Sequence, residues 1–154
     1  MKPFVAALAL VCVGTRAYAS ECKAPAPKAI AEAAQVAFLG TVIAIEESSY
    51  KPRQTCWVRA VHGTECGEKL VTLQVTDRLR GRVESTATVM SEDACYCLGP
   101  YWKAGMQYLV IAQRNISNLP GQFVASNQCG GTMEMSKTTQ SIAAGVIQAL
   151  KASK

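Results

Sequence analysis

Apolar positions along the chain fall into short runs with two distinct periods. Val71, Leu73 and Val75 alternate with Thr72, Gln74 and Thr76. A period of two predicts a strand with one buried and one wet face. Thr86–Met90 repeats it with Ala87 and Val89 on one face, and Arg80-Gly81 marks the turn between the two. Val36–Ile45 is an apolar, β-branched run that reads as a long buried strand. Gly40 inside it predicts a bulge or sharp bend. Met106–Gln113 is an apolar strand and Gln122–Ser126 a shorter one. Between them, Asn118–Gly121 contains Pro120-Gly121 and reads as a hairpin loop.

Helical patterns sit at the two ends of this series. Pro27 suits the first turn of a short helix over Lys28–Gln35, where its missing N–H costs nothing. Ser136–Lys151 places Ile142, Val146 and Leu150 four apart, with Ala143 and Ile147 beside them. That spacing gives one apolar stripe. Lys151 and Lys154 lie near its carboxyl end, where positive charge is favoured. About five strands flanked by helices predict a mainly β fold, a small antiparallel barrel or sandwich. No linker interrupts the pattern, so residues 20–154 are expected to form one domain.

The first nineteen residues stand outside it. Lys2, the apolar run Phe4–Val13 and Ala17-Tyr18-Ala19 occur in the order of a secretory signal peptide. Cleavage is expected between Ala19 and Ser20, placing the protein outside the cell or in a periplasm. The apolar run is shorter than the about 20 residues that span a bilayer, so no membrane span is expected.

Charge and composition narrow the function. The chain has 154 residues, 49% of them hydrophobic and 18% charged, which excludes a disordered polymer. Loss of Lys2 and Arg16 with the signal leaves fourteen basic and eleven acidic residues, a net charge of +3. That is too weak for a nucleic-acid binder. Arg78, Arg80 and Arg82 are two apart, and along an extended segment they point one way. Such a row either attracts an acidic polysaccharide or protein, or forms a solvated edge that discourages strand pairing. Trp57, Tyr101 and Trp102 are candidate stacking platforms for sugar or peptide, or core aromatics.

Export also removes Cys12 and leaves Cys22, Cys56, Cys66, Cys95, Cys97 and Cys129. An even count in an oxidising compartment predicts three disulfides. Cys56 and Cys66 bracket a nine-residue loop in a polar stretch and are expected to staple it. Thiolate zinc sites usually show two close Cys-x-x-Cys pairs, whereas the one close pair here is Cys95-Tyr96-Cys97. Neither a metal site nor a cofactor is expected. A redox dithiol at Cys95 and Cys97 is the enzymatic alternative, though the Cys-x-x-Cys at a helix start that would support it is missing. His62 is the lone histidine, Asp77 and Asp93 are the two aspartates, and no Gly-x-Ser-x-Gly elbow is present. The chain is therefore not expected to be an enzyme. Asn115-Ile116-Ser117 matches a glycosylation sequon.

Several segments taken in order resemble one family. Cys22-Lys23-Ala24-Pro25, a short Ala-rich helix and Ala37-Phe38-Leu39-Gly40-Thr41-Val42 are similar to the start of the tissue inhibitors of metalloproteinases, and closer still to their bacterial relatives. Val75–Gly81 resembles that family's strand ending in a Leu-basic-Gly turn. Cys97, Gly105 and Tyr108-Leu109-Val110-Ile111-Ala112 resemble its cysteine followed by a Gly…Tyr-Leu-Val strand, and Cys129-Gly130-Gly131-Thr132 its closing segment. The resemblance implies a five-stranded OB-type barrel flanked by helices. It also implies an inhibitory edge at Cys22, Lys23, Ala24 and Pro25, with a zinc protease as partner. In the animal inhibitors the leading cysteine's α-amino group and carbonyl chelate the protease zinc. Here Ser20 and Glu21 precede Cys22, and Ala24 stands where the family has a second cysteine. The resemblance further implies that Cys22 is tethered to Cys97 or Cys129, that Cys95 takes the remaining partner, and that one family tether is lost. The expectation is an exported, disulfide-stabilised OB-type binding module with weak or absent protease inhibition when it begins at Ser20.

Overall fold

A computed structural model describes residues 25–47, 69–91, 100–115, 121–126 and 130–153. Helix α1 spans Pro27–Ala33. Strands β1 (Val36–Glu47), β2 (Lys69–Arg80), β3 (Thr86–Ser91), β4 (Gln107–Arg114), β5 (Phe123–Ala125) and β6 (Met133–Glu134) follow, and helix α2 spans Gln140–Ala152. Hydrogen bonding runs β1-β2-β3-β5-β4, and β4 pairs back with β1. The five strands thus close into an OB-type barrel, with β6 added to β4. Every strand pair is antiparallel except β3 with β5, where Val89 and Met90 lie beside Phe123 and Val124 in parallel.

Strand β1 organises the barrel. Its first half is paired on both edges, with β4 from Val36↔Ala112 to Thr41↔Gln107 and with β2 along its whole length. Three register irregularities against β2 coil it, at Ala37/Phe38, Leu39/Gly40 and Val42/Ala44. The expected bend at Gly40 is one of them. A Cβ there would meet Leu73 Cβ at 3.1 Å, so glycine lets β1 and β2 approach a few tenths of an ångström more closely than a larger residue would. The barrel interior is apolar. Val36, Phe38, Val42, Val71, Leu73, Ala87, Val89, Tyr108 and Val110 are buried together, with Phe38 and Phe123 in tilted contact at 6.2 Å.

A second core lies outside the barrel wall. Ile30, Ala31 and Ala34 of α1 and Ala143, Val146 and Leu150 of α2 cover Ala37, Leu79, Leu109 and Ile111. Strand β4 is therefore buried on both faces, Tyr108 and Val110 inward and Leu109 and Ile111 under the helices. Gly131, at φ +103°, lets this layer close, because a Cβ there would fall 2.4 Å from Ile30 Cγ2. Strand β4's other edge is shared by β5 and β6. The Thr132 hydroxyl fills the gap, accepting from Ile111 N–H at 3.0 Å and donating to Ile111 C=O at 2.9 Å.

The structure adjusts several expected elements. Helix α1 begins at Pro27, one residue before the expected Lys28, and ends two residues before Gln35, where Ala34 turns extended (ψ 120°) to lead into β1 and Arg80 donates to the carbonyls of Ala31 and Ala34. Helix α2 begins four residues after Ser136. The hydroxyls of Ser136, Thr138 and Thr139 bond one another, and Thr139 donates to the Glu134 carbonyl, holding the segment in turns. The buried residues of α2 are Ala143, Val146 and Leu150, all within the expected stripe, whereas Ile142 of that stripe is 39% exposed. Strand β6 was not anticipated, since two residues carry no periodic pattern. Antiparallel pairing of β4 with β5 makes the expected hairpin, of whose loop Asn118, Leu119 and Pro120 lie outside the described residues.

Candidate functional site

A cleft lies between the segment that precedes β4 and the segment that precedes α2. Pro100, Tyr101, Lys103 and Tyr108 form one wall of this cleft of about 700 Å³. Met133, Glu134, Ser136, Thr138, Thr139 and Ile142 form the other. Tyr108 fixes the first wall from below. Its ring is fully buried, and its hydroxyl donates to the Tyr101 carbonyl at 2.6 Å while accepting from Lys103 N–H at 3.0 Å. Burial pushes the Tyr108 phenol up to about 12. The Glu134 carboxylate adds to this, and the Lys103 amide hydrogen bond works against it. The phenol is therefore a neutral structural donor across ordinary pH.

Trp102 packs on Tyr108 with ring centroids 4.6 Å apart and adds to the barrel core. Its Nε1 is buried and has no hydrogen-bond partner among the described residues. Of the two neighbouring aromatics, then, Trp102 is core packing and Tyr101 is not: Tyr101 is 69% exposed at the lip of the cleft. Across from it, Lys103 Nζ lies 3.3 Å from Glu134 Oε2, an ion pair joining the two walls. Ile142 continues the apolar lip. The cleft thus offers an aromatic face and an aliphatic knob above a polar, internally neutralised rim.

The arginine row does not form. Strand β2 ends at Arg80 and Gly81 turns the chain with φ +74°, so Arg82 leaves the extended segment. Arg78 Nε donates to the Val83 carbonyl at 2.7 Å. Arg80 is occupied by the carbonyls of α1 and by Ser153 Oγ. Two of the three guanidiniums therefore also serve as internal donors, while Arg78 and Arg82 remain exposed.

Of the expected inhibitory edge, Pro25 is exposed two residues ahead of α1, while Cys22, Lys23 and Ala24 lie outside the described residues. So do residues 1–19 and Cys56, Cys66, Cys95, Cys97 and Cys129, with Trp57, His62 and Asp93. In the sequon, the Asn115 side-chain amide donates to the Gly121 carbonyl at 2.8 Å. Among the described residues no group of three or more His, Cys, Asp or Glu is placed to hold a metal ion, and no helix is long and apolar enough to cross a membrane. Sequence reasoning singled out Tyr101 but not its partners across the cleft. Glu134 lies on a two-residue strand, and Ile142 was assigned to the core; neither position carries a local signal for a cleft. No family model matches the chain, and no curated protein matches it.

Proposed function

We propose that the chain is an exported OB-type binding module of the tissue-inhibitor-of-metalloproteinases kind, and that its contact surface includes the cleft at Tyr101. The observation that carries this reading is the exposed Tyr101 ring, held at the lip by the buried Tyr108 hydroxyl. Aromatic anchors over a concave surface with a polar rim are what protein interfaces use for most of their binding energy. The fixed wall also lowers the ordering cost of binding. An extended segment of a partner protein, with one apolar side chain lodged between Tyr101 and Ile142, suits these dimensions. The experiment is selection of a displayed peptide library on the oxidised protein beginning at Ser20, counter-selected on Tyr101→Ala. Peptides whose binding falls tenfold or more on Tyr101→Ala support the reading. Peptides that bind both forms equally, or no enrichment at all, overturn it.

Titration of the same protein against zinc endopeptidases tests the inhibitor alternative, which acts through Cys22, Lys23, Ala24 and Pro25. Weak or absent inhibition is expected of the form that begins at Ser20. Tight stoichiometric block would make the inhibitor reading the correct one. The redox alternative at Cys95 and Cys97 requires a pair that cycles between dithiol and disulfide, so cysteines that all resist a glutathione-strength reductant on the folded exported protein would end it.

A further inference from the structure

Helix α1 buries Ile30, Ala31 and Ala34 in the second core but has little helix stability of its own. It is seven residues long, with no side-chain cap at its amino end, no acidic residue in its first turn and no basic residue in its last. Isolated helices shorter than about 12 residues are marginal in water. Its carboxyl end nevertheless presents the Ala31 and Ala34 carbonyls, which need donors once helical bonding stops. Arg80 supplies both from Nη1, reaching across from the last position of β2. From Nη2 the same guanidinium donates to Ser153 Oγ, which in turn donates to the Leu150 carbonyl at 3.0 Å. One side chain thus closes the carboxyl ends of both helices. Their amino-proximal contact is close by a different means, since a Cβ on Gly145 would stand 3.1 Å from Pro27 Cγ.

We propose that Arg80 is a latch. It holds α1 against α2 and the barrel, and thereby fixes Pro25 and Ala26, the two described residues ahead of α1. Arg80 is thus a positioning residue for Pro25, Ala26 and α1. The guanidinium is suited to the role because its planar fork serves several acceptors at once, which a lysine ammonium does not do in the same geometry. The inference is independent of the Tyr101 cleft and survives its failure.

Hydrogen exchange on the exported, oxidised protein tests it, with Arg80→Met and Arg80→Lys beside the parent. The amides of Ile30 and Ala34, which close α1 onto Ala26 and Ile30 carbonyls, are expected to exchange at least tenfold faster in Arg80→Met. Barrel amides such as Val110 should be unchanged, and Arg80→Lys should fall between. The heteronuclear NOE of Ala26 should drop in the same order. Unchanged exchange in α1, or acceleration of barrel amides to the same extent, overturns the latch. Should Arg80→Met fail to fold, Arg80→Lys alone decides, because several-fold faster exchange confined to α1 is still required of it.

Discussion

Strands β1 and β2 each pass through two environments, and their outward side chains record the change. In the first half of β1 the outward residues Ala37 and Leu39 lie in the layer beneath α1 and α2. Toward its far half, outward Thr41 pairs with Gln74 of β2, and Gln74 with Thr86 of β3. In the next row Thr72 lies beside Thr88. These threonines and glutamines are exposed or half-buried. Along β1 the inward positions Val36, Phe38 and Val42 stay apolar through the change. One continuous strand can therefore serve two layers when its outward face changes composition and not its inward one. The irregularities at Leu39/Gly40 and Val42/Ala44 fall where the change occurs, turning the strand from the helices toward the uncovered side.

This contrast is testable by substitution. Gly131→Ala should be the most damaging, because it combines a φ of +103° with a Cβ lodged against Ile30. Strain and overpacking together are expected to cost about 4 kcal/mol, measured by urea unfolding. Gly105→Ala supplies the control, since its φ is +78° but a Cβ there meets nothing within 4 Å. It should cost only about 1 kcal/mol. A similar cost for the two would remove the argument that the helix layer is closed over Gly131. Leu109→Ala, beneath the helices, should lose about 3 kcal/mol, the usual cost of a buried leucine cavity.

Next in size is a pH effect confined to the cleft wall. Tyr108 is raised to about 12 in the folded protein by burial, whereas an unfolded tyrosine titrates near about 10. Below that value both states hold the proton and stability does not depend on this group. Between about 10 and 12 the unfolded state ionises first, so stability falls as pH rises, by about 2 kcal/mol over the window. Tyr108→Phe should flatten this limb in chemical denaturation at graded pH. An unchanged slope would contradict it. Smallest of all, Thr72→Ala and Thr88→Ala on the uncovered face should each shift stability by less than about 0.5 kcal/mol. A loss comparable to that of Leu109→Ala would mean that the two faces do not differ as described.

The same contrast explains what could be read in advance. Val71–Val75 and Thr86–Met90 alternate because water lies on one side, and their strands and buried faces followed directly. The continuous run of β4 read as an apolar strand, but nothing in it says that Leu109 and Ile111 face helices while Tyr108 and Val110 face the barrel. Periodicity is silent when both faces are dry. Leu79 illustrates the same limit. It shares its parity with Val71 and Leu73 yet belongs to the helix layer, because the ladder between β1 and β2 slips at its end. The cleft was legible only as an aromatic pair, Tyr101 and Trp102. Which ring is buried depends on a hydrogen bond from Tyr108, seven residues after Tyr101, and that pairing has no sequence mark.

The pairing of β1 with β4 has a kinetic meaning as well. Val36 and Ala112 are separated by nearly half the chain, and β2, β3 and a long polar stretch must be threaded between them before they meet. Contacts so distant in sequence are slow to form. Until they do, the first half of β1 offers an unpaired edge and the apolar inner faces of β2 and β3 have no roof. Closure of β1 on β4 is thus the step that ends the chain's exposure to misassembly, and conditions that delay it will raise aggregation before they lower the stability of the finished barrel.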